Sequence, residues 1–208
     1  MATTTEGATQ TEAPATSLAG VSSLVSAEVS RQVGDLRAEL ERTLAELRAR
    51  TPEDRAALVV FSGDLDRVLA AFVIATGAAA AGLETSMFFT FWGLSVLKKK
   101  GARMSGKGFK QRMFGVMTPT GTAGLGTSKL NFFGMGAAML RSMMKEQGIA
   151  SLEELMSMAR ELGVKMTACT MSMDAMGITR EELVGGLEYG GVAAFMADAS
   201  RSRFSLFI

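Results

Sequence analysis

A chain of 208 residues, 48% hydrophobic and 21% charged, is long enough for one domain with a sizeable core plus an appendage. Its formal net charge of +1 argues against a nucleic-acid partner, and the absence of any histidine removes Ser-His-Asp and Cys-His nucleophile activation and nearly every zinc site. The single cysteine, Cys169, excludes an intramolecular disulfide and leaves one thiol to carry chemistry.

Residues 1–25 are rich in Thr, Ala and Ser and offer little bulk to bury, which predicts a disordered tail. No Lys or Arg occurs in the first thirty residues and no long apolar run follows Met1, so the pattern is not that of a secretory leader and the cytoplasm is the expected compartment. Over 26–50, Val29, Val33, Leu36, Leu40 and Leu47 fall at heptad spacing with Thr43 at the remaining seam position, predicting a helix with a narrow apolar stripe. Self-association through that stripe and docking on the chain's own domain are both open.

From Ala56 the period changes. Ala57–Phe61 reads as a short buried strand, Asp64–Arg67 opens a helix that runs to Gly82, and 85–92 reads as an aromatic strand. The apolar run from Val68 to Leu83 falls short of the roughly 20 residues that a membrane-spanning helix needs, so a core helix is expected. From Thr85 to Lys145 there are ten Lys and Arg and no Asp or Glu, and the aromatic strand runs directly into Lys98, Lys99 and Lys100. That juxtaposition leaves peripheral membrane contact open. The nine glycines between Gly101 and Gly136 predict mostly loop, followed by a helix over 131–147. Ser151 and Glu154 form a capping box for a helix that ends at Gly163, and 164–168 is a strand that delivers Cys169. Thr179–Glu182 is expected to cap another helix, Gly190 and Gly191 to turn the chain, and 192–196 and 204–208 to be the last two strands.

Alternating strands and helices predict an α/β fold, a three-layer sandwich whose mostly parallel sheet has about five strands, preceded by the N-terminal helix. In such sheets the functional crevice lies beyond the carboxyl ends of the strands. That rule gathers Ser62, Gly63 and Asp64 after the first strand, Trp92 and Gly93 after the second, and Cys169, Thr170, Met171 and Ser172 after the third. A helical turn after Cys169 would aim backbone amides at its thiolate. An unpaired cysteine is also often only a small buried hydrophobe. Neither GxGxxG nor GxxxxGK[ST] occurs, so no nucleotide cofactor is expected. Sixteen methionines read as pliable packing rather than soft-metal ligands, and no metal site is expected.

The strings VVFSGDLDRVLAAFVIATGAAAAGLETSMFFTFWGL, SLEELMSMARELGVKMTACTMSMDAMGI and GGVAAFMADAS closely resemble the DsrE/DsrF-like superfamily, in the branch with a long insert after the FFTFWG strand. The resemblance spans about residues 55–208, with the basic, Gly-rich insert at 98–130. It implies a Rossmann-like, commonly homo-oligomeric protein in which Cys169 carries persulfide sulfur between a rhodanese-type donor and a TusA-like carrier, without a cofactor. The dehydrogenase label sometimes attached to this branch is not carried over, because its glycine fingerprint is absent. Lys98, Lys99, Lys100 and Arg103 lie next to the expected crevice and are the candidate partner-docking cations. Two other readings remain: a non-catalytic oligomeric or membrane-surface scaffold with an inert Cys169, and a one-cysteine thiol peroxidase.

Overall fold

The computed structural model describes residues 18–101, 121–129 and 134–208, without the side chains of 18–19 and 48–50. The chain divides into two compact units, residues 1–51 and 52–208.

In the first unit a single helix, α1, spans Leu18–Arg50. It starts within the stretch expected to be disordered, because Val21 and Val25 extend the four-residue apolar spacing of Val29 and Val33 and no proline interrupts it. Residues 1–17 lie outside the described residues. Arg31 binds Glu28 at 2.6 Å and reaches Asp35 at 3.5 Å, the local ion pairs that support an exposed helix.

The second unit is a five-stranded, all-parallel sheet in the order β4-β3-β2-β1-β5. The strands are β1 (Glu53–Val60), β2 (Glu84–Phe89), β3 (Lys165–Cys169), β4 (Glu188–Gly190) and β5 (Ser202–Phe207). Its helices are α2 (Leu65–Ala80), α3 (Met135–Glu146), α4 (Leu152–Glu161), α5 (Thr170–Met176) and α6 (Val192–Ala199), which complete a Rossmann-like three-layer architecture. β1 is an interior strand between β2 and β5, and residues 56–60 are buried on both faces, as the unbroken apolar run Ala56–Val60 requires.

Strand alternation divides the sheet's side chains between two unequal layers. Leu58, Val60, Met87, Phe89, Met166 and Ala168 join the large core under α2, α3 and α4. Val59, Phe88 and Cys169 point the other way and form a small cluster against Phe195 of α6. The Ser151–Glu154 capping box closes in both directions, with Glu154 N donating to Ser151 Oγ (3.3 Å) and Ser151 N donating to Glu154 Oε2 (2.7 Å).

Three expectations are corrected. Residues 192–196 are helix α6, not a strand: Gly190 ends the three-residue β4, and the Ala- and Met-rich sequence that follows has good helix propensity. Thr179 caps no helix, since only a 3-10 turn, Arg180–Glu182, follows before Leu183 is drawn into an antiparallel bridge with Lys98. The second strand stops at Phe89, and Phe91–Leu97 winds into a 3-10 helix that begins at Phe91, whose φ of 45° lies in the left-handed region. Between the described residues of the basic insert, positions 102–120 and 130 lie outside the description.

Candidate functional site

The loops that leave β1, β2 and β3 converge at the carboxyl edge of the sheet. They are held by close backbone approaches that glycine alone permits. A Cβ on Gly93 would sit 2.0 Å from Val60 O, and one on Gly63 would sit 2.9 Å from both Ser95 Oγ and Trp92 O. Gly93 N donates to Phe61 O (2.8 Å) and to Thr90 O (3.0 Å), locking the β2 exit against the β1 exit. Ser62 is buried, donates from its hydroxyl to Asp64 Oδ2 at 2.9 Å and accepts from Asp64 N at 3.0 Å, which orders the entry to α2. The β2 and β3 exits are joined by a buried hydroxyl pair, Thr90 Oγ1 and Ser172 Oγ, 2.7 Å apart.

Cys169 ends β3 in register with Gly190 of β4 and is the residue before α5, although its side chain makes no cap hydrogen bond. The thiol is fully buried, at 0% exposure. The cause is the outward turn of position 169 onto the thin face of the sheet, where Val59 and Phe88 flank it and Phe195 packs on the cluster. Phe88 and Phe195 meet with ring centroids 5.4 Å apart. Thr170 is half-buried and Met171 exposed at the same edge.

An apolar rim lies along the carboxyl ends of β1, β2 and β5. Phe61 contacts both Phe91 and Phe207, each at 5.6 Å between centroids, while Trp92 and Phe207 face solvent, the latter 71% exposed. Clustered exposed aromatics of this kind mark contact surfaces.

The structure separates the expected docking lysines. Lys99 and Lys100 are exposed; Lys99 Nζ donates to Glu181 O at 2.7 Å and Lys100 Nζ lies 3.9 Å from Glu153. Lys98 is corrected: it is only 2% exposed and its Nζ has no hydrogen-bond partner, because its backbone bridges Leu183 and turns the side chain inward. Burial pushes its ammonium below the usual lysine range, and Glu182 pulls it back in part. Arg103 lies outside the described residues. Among the described residues no group of three or more Cys, Asp or Glu is placed to hold a metal ion, and no helix is long and apolar enough to cross a membrane.

Sequence reasoning missed Thr90, Ser172's partner, and Phe195, the cover of the cysteine. The first is one hydroxyl inside an aromatic run and carries no motif. The second lies in 192–196, an apolar run that reads as a strand, so its place over Cys169 does not show in the sequence.

An all-parallel Rossmann-like sheet with one cysteine at the end of its third strand defines a class, and the sequence profile of the DsrE/DsrF/DrsH-like family matches residues 52–207. The chain belongs to that family. It is 46% identical over 154 residues to the uncharacterized protein YrkE of Bacillus subtilis, covering 74% of this chain and 96% of that protein. It is 37% identical over 169 residues to the sulfur carrier protein DsrE2 of Allochromatium vinosum, covering 75% of this chain and 99% of that one. The crystal structure of the ychN protein from E. coli aligns with a TM-score of 0.44 at 10% identity, over 74% of this chain and 98% of that chain.

Proposed function

We propose that the protein is a cytoplasmic sulfur carrier in which Cys169 holds sulfane sulfur as a persulfide and passes it to a partner protein. The observation that carries this reading is a lone cysteine at the sheet's functional edge in a chain similar over three quarters of its length to a named sulfur carrier. In the transfer, the Cys169 thiolate attacks the outer sulfur of a persulfide on a rhodanese-type donor. One S–S bond forms on Cys169, the donor's S–S bond breaks, and the donor leaves as its thiolate with no net oxidation. The reverse attack by the thiolate of a TusA-like carrier unloads it.

The burial of the thiol requires an opening step. Helix α6, which supplies Phe195, has no fully buried residue, so displacing it costs little apolar contact compared with α2 or α4 on the opposite face. Trp92, Phe91 and Met171 give an incoming partner an apolar landing site beside that opening, and Lys99 and Lys100 with Arg103 add charge for steering.

Incubation with a persulfidated donor followed by peptide mass spectrometry should add about 32 Da, one sulfur, to the peptide that contains Cys169. Folded protein that gains no sulfur from any donor would defeat the proposal. The burial of Cys169 favours one second reading, an oligomeric or membrane-surface scaffold with an inert thiol. Alkylation of Cys169 by iodoacetamide only upon global unfolding would support that reading.

A further inference from the structure

We propose that α1 is a homodimerisation element that pairs with α1 of a second copy as a parallel, in-register coiled coil. The proposal goes beyond the sulfur chemistry and concerns residues outside the family match.

Nine large apolar side chains between Val21 and Leu47 are 41% to 73% exposed, an unusual burden for a lone helix in water. Five of the nine lie on one seam: Val33, Leu40 and Leu47 at the a positions of a heptad and Val29 and Leu36 at d positions, with Thr43 at the remaining d position, a 3.5-residue period that keeps this seam facing a partner. The ion pairs of Arg31 with Glu28 and Asp35 fall at positions f and c, on the face away from that seam. The apolar seam from Val29 to Leu47 runs about 27 Å on a helix about 10 Å across, a contact face that a second copy of the same helix matches in length.

Charge selects the occupant and its direction. In a parallel pair, Gln32 at g meets Arg37 at e of the second copy and Glu39 meets Leu44, with no like charges opposed. An antiparallel pair centred on the same seam opposes Glu39 to Glu39 and Arg37 to Arg37. Sliding it by one heptad to relieve this sets Leu47 against Ser22 and Thr43 against Ser26, wasting the seam. A lipid surface fits poorly, because Glu39 and Glu46 flank the stripe where a membrane-bound helix carries Lys or Arg.

The test places one cysteine at a time in the full-length chain with Cys169→Ala. Under mild oxidation Val33→Cys should form a disulfide-linked dimer at least ten times faster than Ala38→Cys at the outer f position, since facing seam positions, unlike f positions, come within the roughly 6 Å Cα span of a disulfide. Adding Leu36→Glu and Leu40→Glu should abolish the Val33→Cys crosslink while the domain's melting transition stays unchanged. Equal crosslinking at the two positions, or none at Val33→Cys, overturns the proposal; none would assign the helix to docking within its own chain or to an antiparallel pairing.

Discussion

The two faces of the sheet are built for different purposes. One buries Phe72, Phe89, Leu58, Met87 and the apolar sides of α2 and α4 in a continuous core. On the other, Val59, Phe88 and Cys169 form a small buried cluster against which, among the described residues, Phe195 packs from a helix with no fully buried residue. Most of the apolar burial lies in the first layer, and the thiol of Cys169 lies in the second, which fewer buried side chains cover. The division follows from strand alternation: Ala168 faces the thick layer and Cys169, one residue later, the thin one.

The sharpest test of that contrast compares two phenylalanines. Phe72→Ala removes a fully buried ring that packs 6.0 Å from Phe89 between centroids and should cost about 3 to 5 kcal/mol of unfolding free energy. Phe195→Ala should cost about 1 kcal/mol, as a half-covered ring does, yet speed alkylation of Cys169 several-fold in native buffer. Comparable losses of stability in urea titrations of the two variants would break the distinction between the faces.

The buried Lys98 tests whether the carboxyl edge is held rigidly while the thin layer moves. Lys98→Met removes a buried ammonium whose desolvation outweighs its attraction to Glu182, so at neutral pH the variant should be at least as stable as the parent in urea titrations. The lysine also has a pH signature. Its folded-state affinity for a proton is lowered, so between that lowered value and the ordinary lysine value the unfolded chain binds a proton that the folded chain releases. Stability from this group therefore rises with pH across that window, and Lys98→Met should flatten the rise in urea midpoints measured over the alkaline range. A rise of equal steepness in the variant would remove Lys98 as its source.

A smaller effect is expected at the hydroxyl pair that joins two of the converging loops. Thr90→Val leaves Ser172 buried without its partner and should cost about 1 to 2 kcal/mol, whereas Thr90→Val with Ser172→Ala should be closer to the parent protein. Additive losses in a thermal double-mutant cycle would show that the pair does not couple the β2 and β3 exits.

The helical and strand periods made most of this fold legible. The apolar run of β1, the capping box of α4 and the heptads of α1 each follow from side-chain spacing that local physics enforces. The convergence of Ser62, Gly93 and Cys169 at one edge follows from parallel topology alone. What the sequence hid were outcomes decided by tertiary contact. The strand-like Val192 and Phe195 became helix because β4 had already ended at Gly190, and that choice put an aromatic cover over the cysteine. Lys98 sits among exposed cations in the sequence, and only its bridge to Leu183 shows that it points inward.

The separation of Lys98 from its neighbours narrows the remaining prediction to Lys99 and Lys100. Both are exposed and each has a local partner, Glu181 O for one and Glu153 for the other, so their pull on an approaching protein is partly spent within the chain. Long-range attraction acts on association and fades above roughly 0.1 to 0.2 M salt, whereas contact chemistry at sulfur does not. Lys99→Gln with Lys100→Gln should therefore slow sulfur transfer from a protein donor about two- to threefold at low salt, with the difference vanishing at high salt. Transfer from a small neutral persulfide should be unchanged at either salt concentration. Slowing with both donors would mean that the lysines shape the cysteine's surroundings, and no slowing with either would leave the thin, aromatic-rimmed face to recruit its partner by apolar contact alone.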